Sequence, residues 1–94
     1  MIQSFGDKET EKIWRRQRSR WLPSDIQSRA RDMLARLDRA QLLQDLRFPP
    51  GNHLEALSGD RTGQHSVRVN RQWRVAFRWG PDGPSQVTIE DYHK

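Results

Sequence analysis

The sequence changes its period once, at Pro49-Pro50-Gly51, and that change limits the chain to a mixed fold. Before the break, apolar residues recur at helical spacing. Ile26, Ala30, Met33, Leu34 and Leu37 fall at offsets of 4, 7, 8 and 11 from the first, which is one face of a helix. Arg29, Arg31, Asp32, Arg36, Asp38 and Arg39 make the other face. Ser24 and Gln27 have the spacing of a capping box at its start. An earlier helix is expected from Lys8 to about Arg20, with Ile13 and Trp14 turned inward. It ends at Trp21-Leu22-Pro23, because Pro disfavours helix in the residue before it. Ile2 to Phe5 reads as a short opening strand, and Leu42, Leu43 and Leu46 as a further helical turn on the core.

After the break the period is two. Leu54 and Leu57 flank a short extended piece, and Ser58 to Gly63 is a turn. Val67 and Val69 point one way, Ser66, Arg68 and Asn70 the other. Asn70-Arg71 suits a tight hairpin, followed by Trp73, Val75, Phe77 and Trp79 on one face and Gln72, Arg74, Ala76 and Arg78 on the other. Pro81-Asp82-Gly83 is a turn, and Gln86 to Glu90 a last strand. The expected architecture is α+β: an N-terminal strand and two helices packed on one face of an antiparallel sheet, with residues 1–94 as one domain.

Composition narrows the function. The chain has no Cys, which excludes disulfides, thiolate zinc sites and cysteine nucleophiles and fits a reducing cytoplasm. Three His without ligand-like spacing point to no metal and no other cofactor. No apolar run reaches about 18 residues, so no membrane span is expected, and the opening residues lack a secretory pattern. Trp14 and Trp21 are expected in the core or an interface, and His65 in a structural role. The net charge is +5, and 14 of the 17 basic residues are Arg, the side chain best shaped for bidentate phosphate contact. A polyanionic partner such as nucleic acid follows.

From Arg61 to Pro81 there are five Arg and no acid. Arg74 and Arg78 share a strand face, with Arg68 turned the same way, which predicts a basic sheet surface for phosphate. The bland reading is a solvated face with cross-strand pairs to acids such as Glu90. At the edge of that surface lie Asp91, Tyr92 and His93. RNA cleavage needs a base for the 2′-OH proton, cations for the phosphorane and an acid for the departing 5′ oxygen. His93 titrates near neutrality and suits proton transfer; Tyr92 suits stacking; Glu55 and His53 offer a second acid/base group. The arginines between Arg15 and Arg20 form a solvated helix face or a docking surface.

The stretch from Pro50 to Trp79, with L-S-G at Leu57-Ser58-Gly59 and N-x-x-W-R-x-x-F from Asn70 to Phe77, resembles the HigB toxins of type II toxin–antitoxin modules, within the RelE superfamily. The ending Glu90-Asp91-Tyr92-His93 and the opening Met1 to Phe5 match as well, and the P-P-G-N wording is similar to the GraT branch. The resemblance implies a small RelE-like domain that cleaves mRNA on the ribosome and inhibits translation, with the 2′-OH as nucleophile and no metal. It implies a HigA-type helix-turn-helix antitoxin as partner, and operator DNA bound only through the toxin–antitoxin complex. The family's catalytic positions correspond to Glu55, Ser58, Arg74, Asp91, Tyr92 and His93; the basic sheet face adds Arg61, Arg68, Arg78 and His53 as expected RNA contacts. Many HigB toxins carry L-H-P-L-K-G where this chain has Leu54-Glu55-Ala56-Leu57-Ser58-Gly59. Glu55 can act as a base, but not as a cation, so a slower enzyme is expected. The other possibility is a silent ribosome- or RNA-binding module held by an antitoxin.

Overall fold

The computed structural model describes residues 1–92. Helix α1 spans Lys8–Trp14 and α2 spans Ser24–Arg39. Four strands follow, β1 Glu55–Ala56, β2 Gln64–Arg68, β3 Trp73–Gly80 and β4 Gly83–Asp91, paired antiparallel in sequence order. Short 3-10 turns occupy Leu43–Arg47, Pro50–Asn52 and Gly59–Arg61. Both helices lie on one face of the sheet, as the α+β expectation required.

The core is the meeting of two periodicities. Ile26, Ala30, Met33, Leu34 and Leu37 are all buried, and they face Val67, Val75, Phe77, Val87 and Ile89 of the sheet. His65 stacks on Phe77 with ring centroids 6.2 Å apart, in the structural role expected of it. Leu46 is buried and Leu43 packs partly buried against the core, whereas Leu42 is 54% exposed, so two of the three leucines make the expected contact. The β2–β3 connection is wider than a two-residue hairpin. It runs through residues 69–72, with Asn70 Oδ1 accepting from the backbone N–H of Gln72 and Trp73 at 2.8 Å each.

The opening segment is less than a full strand. It lies parallel to β4 with one bridge, Phe5 to Val87, and backbone bonds from Gln3 to Pro84, Gly6 to Val87 and Val87 to Ser4. Beside it β4 bulges: Gln86 sits at φ 51° and the β3 pairing slips between Ala76 and Arg78.

Two helix expectations are corrected. The first helix stops at Trp14, not near Arg20, because Arg16 turns left-handed (φ 63°) and the chain folds onto Ser19. The Ser19 hydroxyl donates to Glu9 at 2.7 Å and accepts from Trp21 and Leu22 N–H. That bond holds the Glu9 carboxyl below its ordinary value, with Lys12 assisting. Ser24 and Gln27 form no capping box. Pro23 caps α2 without a side-chain bond, and the Gln27 amide instead ties down the carbonyls of Ser19 and Leu22. Trp14 is half-buried under Arg31, at 4.7 Å from its ring centroid, but Trp21 is 81% exposed and is no core residue.

Thr10 shows how the helices are pinned to the sheet. It is fully buried, and its hydroxyl accepts from the Ile89 N–H at 2.8 Å, beyond the reach of the opening segment. Thr10→Val keeps the shape and orphans that N–H. The expected cost is about 1–3 kcal/mol in urea denaturation.

Candidate active site

The sheet face opposite the helices is not a uniformly solvated basic surface. Its centre is Arg74, whose residue is only 5% exposed. Arg74 is at once the cross-strand partner of Arg68 on β2 and of Glu90 on β4. Its Nε donates to Ser66 Oγ at 2.7 Å, and Nη2 donates to the carbonyls of Ser66, at 3.2 Å, and of His53. Burial pushes the guanidinium below the usual arginine value; Glu55 and Tyr92 oppose that and Arg68 adds to it. The cation is therefore fixed by acceptors on two segments and shielded from bulk water.

Those segments come from distant chain. The loop carrying His53 is built on Asn52, which is 1% exposed. Its Nδ2 donates to the carbonyls of Leu46 and Phe48, and its Oδ1 accepts from Arg36 of α2 at 2.5 Å. His53 then takes a left-handed conformation (φ 46°), so its carbonyl meets Arg74 while its ring comes within 3.5 Å of Arg68 Nη1. Asn52→Ala removes three bonds. It should cost about 2–3 kcal/mol in chemical denaturation and loosen the loop beside Arg74.

Tyr92 closes the other side. Its N–H donates to the Gln72 carbonyl at 2.6 Å, which extends the β3–β4 ladder by one residue and leaves Tyr92 on the face of Arg74 and Glu90. Its ring then lies 5.1 Å from the Arg74 guanidinium carbon, a cation–π contact, and remains half-exposed. The Tyr92 hydroxyl donates to Glu55 Oε1 at 3.3 Å, and that oxygen is 3.9 Å from Arg74 Nη2. Beside this trio opens a cavity of about 230 Å³ lined by Ser58, Arg61, Ser66, Arg74, Glu90, Asp91 and Tyr92, among others.

The structure thus brings together Arg74, Tyr92 and Glu55, with Asp91 and Arg61 on the same cavity. Asp91 accepts from Gln72 Nε2 at 3.0 Å. Arg68 and His53 form a neighbouring pair. Arg78 stands apart: it lies over the turn at Gly63 and its Nε bonds Gln86 at 3.3 Å. His93 lies outside the described residues. Arg61 is held by Glu90, so the cross-strand acid of the bland reading is real there. Reasoning from period missed Ser66, which alternation places on this face without revealing its bond to Arg74. Among the described residues no three His, Asp or Glu side chains gather as a metal site.

This arrangement couples a shielded cation to an aromatic face and a carboxylate. A phosphate placed against Arg74 would meet a preorganised donor, with a stacking surface and an acid/base group alongside. Comparison with known proteins agrees in kind. Toxin HigB-1 of Vibrio cholerae is 42% identical over 95 residues, covering the whole of this chain and 99% of that protein. Endoribonuclease HigB of Proteus vulgaris is 29% identical over 93 residues, 99% of this chain and all of that one. An uncharacterised Haemophilus influenzae protein matches 62% of this chain at 33% identity. Residues 3–93, which include every element of the cavity, match the family model of the RelE-like toxin HigB, and the chain accordingly belongs to the HigB-like toxins of type II toxin–antitoxin systems.

Proposed function

We propose that this toxin is an endoribonuclease that cuts mRNA on the ribosome. The buried Arg74, stacked by Tyr92 and flanked by Glu55, is the observation that carries the reading. Glu55 takes the 2′-OH proton. The 2′ oxygen attacks phosphorus, Arg74 meets the charge of the phosphorane, and the P–O5′ bond breaks. His93 gives its proton to the departing 5′ oxygen, leaving a 2′,3′-cyclic phosphate and a 5′-OH. Tyr92 stacks on a base, Asp91 supports Tyr92 from the adjacent position, and Arg61, Arg68, Arg78 and His53 contact the RNA strand. Side chains alone supply this chemistry, with no metal.

Membership of a type II system implies an antitoxin as partner. We assign it to the HigA type, with a helix-turn-helix through which the complex reaches operator DNA. Arg16, Arg18 and Arg20, in the segment that follows α1 and without an ion pair among the described residues, suit ribosomal RNA. No helix among the described residues is long and apolar enough to cross a membrane. We place the site of action in the cytoplasm, with the ribosome. One observation favours a binding module without activity: Ser58 stands on the cavity wall where many HigB toxins place Lys.

The test is cleavage of a defined mRNA on purified ribosomes, with naked mRNA alongside and ends mapped by primer extension. Cuts at decoding-site positions with 5′-OH ends, only when ribosomes are present, are the expected result. Intact mRNA with the protein sedimenting on ribosomes would select the binding module.

A further inference from the structure

We propose that Glu90 is a positioning residue for RNA cleavage, holding the Arg61 guanidinium at the cavity rim so that one of its remaining donors meets an RNA phosphate. This rests on the cleavage reading above and adds a residue to it. Arg61 ends the 3-10 turn Gly59–Arg61, where a long side chain would ordinarily sample many rotamers. Here it is gripped on three sides. Nη1 and Nη2 each donate to one oxygen of Glu90 at 2.6 Å, a fork-to-fork pair, and Nε donates to Gln64 Oε1 at 2.9 Å. Glu90 is itself oriented: the Thr88 hydroxyl donates to its Oε2 at 2.7 Å. The pair raises the Arg61 guanidinium above its usual value, chiefly through those hydrogen bonds.

A guanidinium has five N–H donors. Three are spent on Glu90 and Gln64, and one remains on each terminal nitrogen. The Arg61 side chain is still 42% exposed, and both it and Glu90 line the cavity that holds Arg74 and Tyr92. Glu90 is the cross-strand partner of Arg74, so the second guanidinium is placed one strand from the first. Paired in this way Arg61 brings little net charge to the RNA. Its contribution is direction, which matters at the transition state more than in binding.

That distinction gives the test a signature a plain structural staple lacks. Glu90→Gln frees the Arg61 charge while loosening its aim. Expected are a kcat about 10–100-fold lower, a KM unchanged or lower, and a steeper fall of RNA affinity with salt. Melting temperature is read in parallel. The double variant Arg61→Glu with Glu90→Arg restores an ion pair and the fold, yet places the cation on the wrong strand; its kcat should stay low. An unchanged kcat in Glu90→Gln, or wild-type kcat in the double variant, would overturn the positioning role. Each is assayed with ribosomes and on naked RNA. A wild-type chain that cuts only naked RNA sinks the ribosomal reading and leaves this test intact. One that cuts neither sinks the cleavage reading and this proposal with it.

Discussion

Arg74→Ala should lower kcat for RNA cleavage by about 10²–10³-fold, the usual loss when a preorganised donor to a developing oxyanion is removed. The same change should destabilise the protein. Ser66 Oγ and two buried or half-buried carbonyls lose their donor, and the Tyr92 ring loses the cation beneath it. About 1–3 kcal/mol is expected from urea denaturation. Arg74→Lys separates the two effects. Lysine keeps the charge but lacks the planar fork, so it cannot serve Ser66 and His53 at once. Its kcat should fall nearly as far as that of Arg74→Ala, with a smaller rise in KM. If Arg74→Lys kept kcat within about threefold of wild type, a bare charge would suffice. The bidentate geometry would then be structural.

Arg74 also marks where sequence reading stops. Alternation along β3 places Arg74 opposite Val75 and Phe77, and that part is correct. Alternation cannot say that the face is covered. The cover comes from His53, 21 residues away across a left-handed turn, and from Tyr92, set beside Arg74 by the pairing of β4 with β3. Neither contact has a local signal. The same holds for Arg61, whose acid is 29 residues on and reaches it only because β4 pairs with β3. What was legible is what depends on neighbours in sequence: the α2 face, the change of period at Pro49, and the strand alternation. Gln27 shows the limit from the other direction. Its spacing from Ser24 met the capping-box pattern, but the backbone groups left open by the short α1 competed for its amide and won. Of the positions matched to the HigB toxins, Ser58, Arg74, Asp91 and Tyr92 line the cavity and Glu55 stands beside it, while His93 lies outside the described residues; a family motif carries tertiary information that periodicity does not.

The proton carriers should divide between Glu55 and His93, and their variants should separate in pH profile. His93→Ala is expected to lower kcat by about 10²–10⁴-fold, the range of a lost general acid. As the acid it must hold a proton, so wild-type rate should fall on the alkaline side and the variant should lose that limb. Glu55 has the opposite requirement. As the base it must accept a proton, which an amide cannot do, so Glu55→Gln should lower kcat by about 10–10²-fold. Glutamine still accepts from the Tyr92 hydroxyl, so the ring stays in place and the loss reports the proton rather than the packing. Glu55 stands 3.9 Å from Arg74, and an incoming phosphate competes with it for that cation. Glu55→Gln should therefore lower KM while it lowers kcat. If Glu55→Ala left both unchanged while His93→Ala abolished cleavage, the base would have to be sought elsewhere, and His53 beside Arg68 would be the next residue to replace.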